Sequence, residues 1–253
     1  MTILGLDTSR WSDAASTPKT IDWNVAKSKG VEFMFTKATE SNYWKDPVFD
    51  LLYKNAKEAK LLRGAYHFFS SKESITDQVD YFWGIIKNDP GELPPTLDLE
   101  DPYPTTKPLA RGATLYSQVS VFLERLQNLC GKVPIIYTSP NIIRYYLTNE
   151  YASKLIKYPL WIAQYIDYTT KYVKYVNPSP WLSWTFWQYS DRTEATQYGF
   201  NEAKTVDANI FNGTIEDLNK FCGVVENGGG SGETQYTYEQ KLNKLWDAHP
   251  ELH

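Results

Sequence analysis

The chain has 253 residues, 42% of them hydrophobic, with 26 Lys and Arg against 30 Asp and Glu and a formal charge of −4 at pH 7. This is enough apolar material for one large barrel or two ordinary domains, and it excludes a disordered chain. The charge balance gives nucleic acid or an anionic membrane no electrostatic foothold, so neither is expected as a partner.

No charged start followed by an apolar stretch opens the sequence, and Ile3-Leu4-Gly5-Leu6-Asp7 already reads as a strand. Neither a signal peptide nor a membrane span is therefore expected. Such a protein would be made in the cytoplasm and reach any outside target through a separate pore. Further strands are predicted at Phe33 to Ala38, Gly64 to Phe69, Thr96 to Glu100, Ile135 to Thr138, Leu160 to Gln164, Thr185 to Tyr189 and Thr205 to Ile210. Helical periodicity marks Asn24 to Lys29, Pro47 to Lys60, Ser74 to Lys87, Ala113 to Leu129 and Thr214 to Phe221. Strands alternating with amphipathic helices are the pattern of a parallel sheet covered by helices. The expected fold is α/β, an irregular eight-stranded (β/α) TIM-like barrel. Its helices are reduced in the second half, because from Ile166 to Ser183 Tyr, Lys, Asn and Pro replace any amphipathic pattern. At Val224 the composition turns to Glu-Asn-Gly-Gly-Gly-Ser-Gly-Glu. The expected organisation is a catalytic barrel at 1–223, a flexible Gly/Ser linker at 224–235 and a short tail at 236–253, too short for a core of its own.

Within Pro95-Thr96-Leu97-Asp98-Leu99-Glu100-Asp101, Asp98 and Glu100 stand two apart where a strand should run into a loop. Residues i and i+2 of a strand share a face, so both carboxyls enter one pocket while Leu97 and Leu99 pack behind them. Like charges that close resist joint ionisation. One keeps its proton near neutral pH and the other stays an anion, the pair used to cleave glycosidic bonds. A solvated acidic turn before Pro102 is the alternative. In a parallel barrel the strand C-terminal ends build the active site. Those ends carry Asp7, Glu40, Asp98 and Glu100, with Asp207 interrupting an apolar last strand. Tyr66, Tyr137, Trp161, Gln164, Trp187 and Gln188 lie near the same ends.

Aromatic residues make up 15% of the chain, with 9 Trp and 19 Tyr, and many of these rings are expected at a surface or cleft where they can stack on sugar faces. The only cysteines, Cys130 and Cys222, form no metal-ligand pattern, and no metal or cofactor is expected. Of the three histidines, His67 lies in the apolar run Tyr66-His67-Phe68-Phe69 and reads as structural.

The blocks Gly5-Leu6-Asp7-Thr8-Ser9, Phe35-Thr36-Lys37-Ala38-Thr39-Glu40, Gly64-Ala65-Tyr66-His67-Phe68, Leu97-Asp98-Leu99-Glu100, Ile136-Tyr137-Thr138, Leu160-Trp161-Ile162-Ala163-Gln164-Tyr165, Trp187-Gln188-Tyr189-Ser190 and Val206-Asp207-Ala208-Asn209 resemble, in order, glycoside hydrolase family 25. Arg10, after the first block, departs from the neutral or aromatic residue more often found there. The resemblance implies an irregular α/β barrel and a lysozyme, or N-acetylmuramidase, of the kind found in phage endolysins and autolysins. Its partner would be the glycan strands of bacterial peptidoglycan, cut at the β-1,4 bond between N-acetylmuramic acid and N-acetylglucosamine, by a monomer. Carried over, it makes Glu100 the general acid, Asp98 its partner carboxylate, Asp7 and Asp207 supporting acids, and Glu40 a peripheral one. It places Tyr66, Tyr137, Trp161 and Gln188 at the sugar cleft. Three alternatives compete: a chitinase-like hydrolase using the same Asp-x-Glu pair, a barrel that binds glycans without cutting them, and a divalent-metal site built from the acids.

Overall fold

The structure, a computed structural model, describes residues 3–12, 21–101, 108–165 and 176–224. The expected linker beyond Val224 and the tail lie outside the described residues, as do residues 166–175 of the stretch without helical pattern. The strands are β1 (Ile3–Thr8), β2 (Val31–Glu40), β3 (Trp44–Lys45), β4 (Leu62–Phe68), β5 (Thr96–Asp98), β6 (Ile135–Thr138), β7 (Leu160–Ala163), β8 (Phe186–Glu194) and β9 (Thr205–Phe211). They form one sheet in the order β1-β9-β8-β7-β6-β5-β4-β2-β3, and β1 also pairs with β2. That pairing closes eight strands into a barrel and leaves β3 outside as a short hairpin on β2.

The ring is parallel from β1 through β8, but β9 runs antiparallel to both of its neighbours. β8 and β9 are a hairpin, interrupted by one short 3-10 turn at Thr196–Tyr198, so no crossover helix forms there. From Val176 to the start of β8 the described chain has turns but no helix. The reduction of helices in the second half thus has two sources, the hairpin and this irregular approach.

The helices are α1 (Trp23–Ser28), α2 (Phe49–Glu58), α3 (Ile75–Ile86), α4 (Gly112–Cys130), α5 (Pro140–Ile142), α6 (Thr148–Ala152) and α7 (Ile215–Cys222). Their ends follow local chemistry. Ser74 accepts from the Asp77 N–H ahead of α3, Thr214 and Asp217 form a reciprocal capping box at α7, and left-handed Gly131 closes α4. The helical segment Pro140–Ala152 has no counterpart in the sequence reading. Ser139 caps it and Pro140 occupies its first turn, but a π-wound turn at Ile143–Leu147 splits it. That turn breaks the 3.6-residue repeat on which recognition depends.

Two apolar layers result. Outside the barrel, α2 buries Phe49, Leu52, Tyr53 and Ala56 and α4 buries Leu115, Val119, Phe122, Leu123 and Leu126 against the sheet. Inside it, Phe33, Phe35, Ile135, Trp161, Phe186 and Phe211 fill the lumen. Phe35 stacks on Trp161 at 4.3 Å between ring centroids. Room for those rings comes from Gly5 and Gly64, where a Cβ would lie 2.2 Å from Phe33 and 2.4 Å from Phe35. The tryptophans largely serve this packing. Trp23, Trp161, Trp181, Trp184 and Trp187 are buried, and the expectation that many rings stand at the surface holds for few Trp, chiefly Trp11 at 72% exposure.

The buried polar side chains Arg63 and His67 are paired. Arg63, at the start of β4, makes a two-pronged bond to Asp89 at 2.9 Å and reaches Glu92 as well. His67 is structural, as read. Its Nδ1 meets Thr39 Oγ1 at 2.8 Å and its Nε2 meets Gln78 Oε1 at 3.2 Å. Because Gln78 Oε1 also accepts from the Ser70 N–H, that amide oxygen is the acceptor and His67 carries its proton on Nε2. Burial pushes the imidazole down to about 4.

Candidate active site

Laterally paired residues of a sheet share a face, so the register decides which side chains meet inside the rim. Asp98 pairs with Tyr137, Lys37 with Tyr66, Gln188 with Asn209 and Asp7 with Asp207. Asp207 is the third residue of its strand. It reaches the rim formed by the other strands' C-terminal ends because β9 runs backwards.

Asp7 is the hub. Its Oδ2 accepts from Gln188 Nε2 at 2.7 Å and from Asn209 Nδ2 at 2.8 Å. Each amide is oriented by donors on its oxygen side. Tyr137 and Tyr165 hydroxyls donate to Gln188 Oε1 at 2.9 and 3.2 Å, and the Trp161 indole N–H donates to Asn209 Oδ1 at 2.8 Å. Trp161 and Gln188, expected at the sugar cleft, are each only 2% exposed, and their hydrogen bonds orient Asp7 from behind the wall. Tyr66 is nearly buried as well, edge-on to Trp161. Tyr137 alone of the four borders the open cavity.

Burial raises every carboxyl of the cluster. It pushes Asp7 up to about 7 although the Asn209 and Gln188 hydrogen bonds pull down. Asp207 rises well above the usual range through burial and the neighbouring charge of Asp7. Asp98 rises well above it through burial and the charge of Glu100, with Lys37 pulling down. Glu100 also rises through burial, held back first by Lys37 and then by a hydrogen bond from Asp98. Asp98 and Glu100 therefore both hold a proton more tightly than free carboxyls do, and Asp98 is the more deeply buried of the two. The charge of Asp7 also raises Asp98.

Glu40 does not join the cluster directly. Its Oε2 holds Lys37 Nζ at 2.9 Å, with the ammonium 4.4 Å from the Phe68 ring centroid. Lys37 escaped the sequence reading, although a lysine inside the apolar run Phe33 to Ala38 breaks its strand as Asp207 breaks β9. Asn209 and Tyr165 also escaped it. Arg10 turns away, its N–H donating to Asp46 and its guanidinium 4.5 Å from the Trp11 ring centroid.

β5 ends at Asp98, and Leu99 N–H still donates to Tyr137 O at 2.9 Å, so Glu100 is the first residue released from the ladder. Two cavities meet there. One of about 550 Å³ is bordered by Glu100, Tyr137, Gln164 and Tyr165, and one of about 440 Å³ by Glu100, Asp101, Tyr145 and Tyr146. Ser139 and Asn141 are common to both. Among the described residues no group of three or more His, Cys, Asp or Glu side chains is placed to hold a metal ion.

A carboxyl able to carry a proton, standing midway along a groove with a second carboxyl beneath it, is equipped to protonate the leaving oxygen of an acetal, and the protein is a glycoside hydrolase. The chain belongs to glycosyl hydrolases family 25, whose family model matches residues 7–198. It is similar to the uncharacterized protein YegX of Escherichia coli, 35% identical over 225 residues covering 87% of this chain and 73% of that protein. Lysozyme M1 of Streptomyces globisporus is 32% identical over 222 residues, 85% of this chain and 70% of the lysozyme. The crystal structure of the bacterial lysozyme from Streptomyces coelicolor superposes with a TM-score of 0.71 at 28% identity, covering 89% of this chain and 99% of that one.

Proposed function

We propose that the protein is an N-acetylmuramidase that cleaves the β-1,4 bond between N-acetylmuramic acid and N-acetylglucosamine in peptidoglycan, with Glu100 as proton donor. The observation that carries the assignment of Glu100 is its place at the junction of the two cavities, with Asp98 only 4% exposed behind it. Asp98 Oδ1 is buried without a hydrogen-bond partner among the described residues. Such a group calls for a donor, and the 2-acetamido N–H of a bound sugar supplies one. An N–H on Asp98 favours its anion, so the proton the pair shares settles on Glu100 through the hydrogen bond between them. Glu100 then donates that proton to the glycosidic oxygen as the C1–O bond breaks, and the acetamido carbonyl oxygen, oriented by Asp98, bonds to C1. Water opens that intermediate with Glu100 taking back a proton, giving net retention. Asp7 raises the proton affinity of Asp98 and Asp207, and Glu40 holds Lys37 while adding its own charge beside Asp98.

The test is mass spectrometry of borohydride-reduced soluble fragments from purified peptidoglycan. Wild type should release fragments ending in reduced muramic acid, and Glu100→Gln should lower their rate by about 10² to 10⁴. Asp98→Asn should do likewise. Reduced glucosamine ends would refute the bond assignment, and turnover within a few-fold of wild type for Glu100→Gln would refute the acid. The proposed setting is a phage or prophage endolysin reaching the wall through a pore made by another protein. It rests on the enzyme class, and bacteria expressing the chain alone should stay intact, lysing when a pore-forming protein is co-expressed.

A further inference from the structure

The proposed chemistry leaves one wall of the cleft without a role. The π turn Ile143–Leu147 interrupts a helix, and a π turn inserts an extra residue that re-aims its neighbours. Consecutive side chains here face different lobes: Arg144 borders the larger cavity, while Tyr145 and Tyr146 border the smaller, on the other side of Glu100. Tyr146 is tied down, its hydroxyl donating to Asp101 and its ring lying 3.8 Å beneath the Arg111 guanidinium carbon. Arg111 is held in turn, donating to the Tyr145 carbonyl at 3.0 Å. Arg144 is different. It is exposed, rests 5.2 Å from the Tyr145 ring centroid, and makes no ion pair among the described residues. Of the described side chains bordering either cavity it is the one cation.

Glu100 and Asp101 border the same cleft, and their carboxylates repel an anionic ligand unless a positive group meets it. A guanidinium is suited to gripping a carboxylate with two parallel hydrogen bonds. Of the two sugars in the proposed substrate, only muramic acid bears a lactyl arm that ends in, or leads to, a carboxylate. We infer that Arg144 is a specificity residue that binds a carboxylate carried on the lactyl arm of muramic acid at the mouth of the larger cavity. This rests on the muramidase reading. The carboxylate is either that of the lactyl group itself, on strands stripped of peptide, or one on the stem peptide of intact strands. The contact is made to the lactyl arm and not to the breaking bond, so it is the same in ground and transition states and its effect falls on KM.

The experiment compares wild type, Arg144→Gln and Arg144→Lys on three substrates: intact peptidoglycan, strands stripped of stem peptides, and stripped strands whose carboxyls are converted to methyl amides. Arg144→Gln should lose about tenfold in kcat/KM through KM on a carboxylate-bearing substrate. It should match wild type on the neutralised strands, with Arg144→Lys in between. Loss on stripped strands identifies the lactyl carboxylate, and loss on intact peptidoglycan alone identifies the stem peptide. Equal activity of Arg144→Gln and wild type on both carboxylate-bearing substrates overturns the inference. So does an equal loss on neutralised strands, which marks a general effect on the cleft. Wild type cutting none of the three overturns the muramidase reading, and the inference with it.

Discussion

The ion pair of Lys37 and Glu40 offers a test in which two partners of one salt bridge must act in opposite directions. Lys37 Nζ lies 2.9 Å from Glu40 Oε2, with side-chain exposures of 9% and 21%. The ammonium lowers the proton affinity of both Asp98 and Glu100, whereas the Glu40 charge raises that of Asp98. Lys37→Met keeps the aliphatic stem between Trp44 and Phe68 but removes the charge. An opposite charge within roughly 4–6 Å moves a carboxyl by about 1–3 pKa units. The alkaline limb of the kcat/KM profile, which reports the acid of the free enzyme, should therefore move up by about one to two pH units, about 1.4 to 2.7 kcal/mol. Glu40→Gln should move it down, by less, since Glu40 is the weakest of the named influences on Asp98 and is partly solvated. Initial rates of wall clearance from pH 4 to 9, with melting curves to confirm folding, measure both. Shifts of the same sign would show that the pair matters only as a mechanical strut, and an unmoved limb would show that Lys37 does not act on the acids.

Two further outcomes concern stability. Asp7 is raised in the folded protein to about 7 from 3.8, so its contribution is fully present below pH 3.8 and is lost as pH rises through about 7. His67 is lowered to about 4 from 6.5, so its contribution is fully present above 6.5 and is lost as pH falls through about 4. Asp98 and Asp207 act in the direction of Asp7. The melting temperature should therefore rise from pH 8 to pH 5, with Asp7 alone contributing about 3 kcal/mol, and His67→Gln should steepen the rise; a fall in wild type would contradict the raised carboxyls. Gly64→Ala places a methyl 2.4 Å from Phe35, which cannot retreat because it stacks on Trp161. Overpacking of this kind costs about 1–3 kcal/mol, or a melting temperature lower by roughly 3–10 °C. Gly84→Ala on α3, where nothing lies within 4 Å, should be neutral or stabilising.

Much of the architecture is legible locally. The eight barrel strands and five of the helices follow from apolar periodicity and capping residues, since each buries one face whatever its neighbour is. The spacing of Asp98 and Glu100 and the position of Asp7 at a strand end come from the same alternation. Segments without a regular period were lost, including β3 and the π-interrupted helix at Pro140–Ala152. His67, flanked by apolar residues, already reads as structural from its own neighbours.

Closure of the ring decided the rest. Asp207 faces Asp7 because β9 reverses, and Asn209, two residues further along the same face, reaches the Asp7 carboxylate for the same reason. How deeply a side chain is buried depends on strands far apart in the chain, and depth is what places Trp161 and Gln188 behind the wall and raises Asp98 well above the usual carboxylate range. Alternation along one strand determines which side chains point inward. Only the closed barrel determines which of them meet, how much water they keep, and therefore how tightly each carboxyl holds its proton.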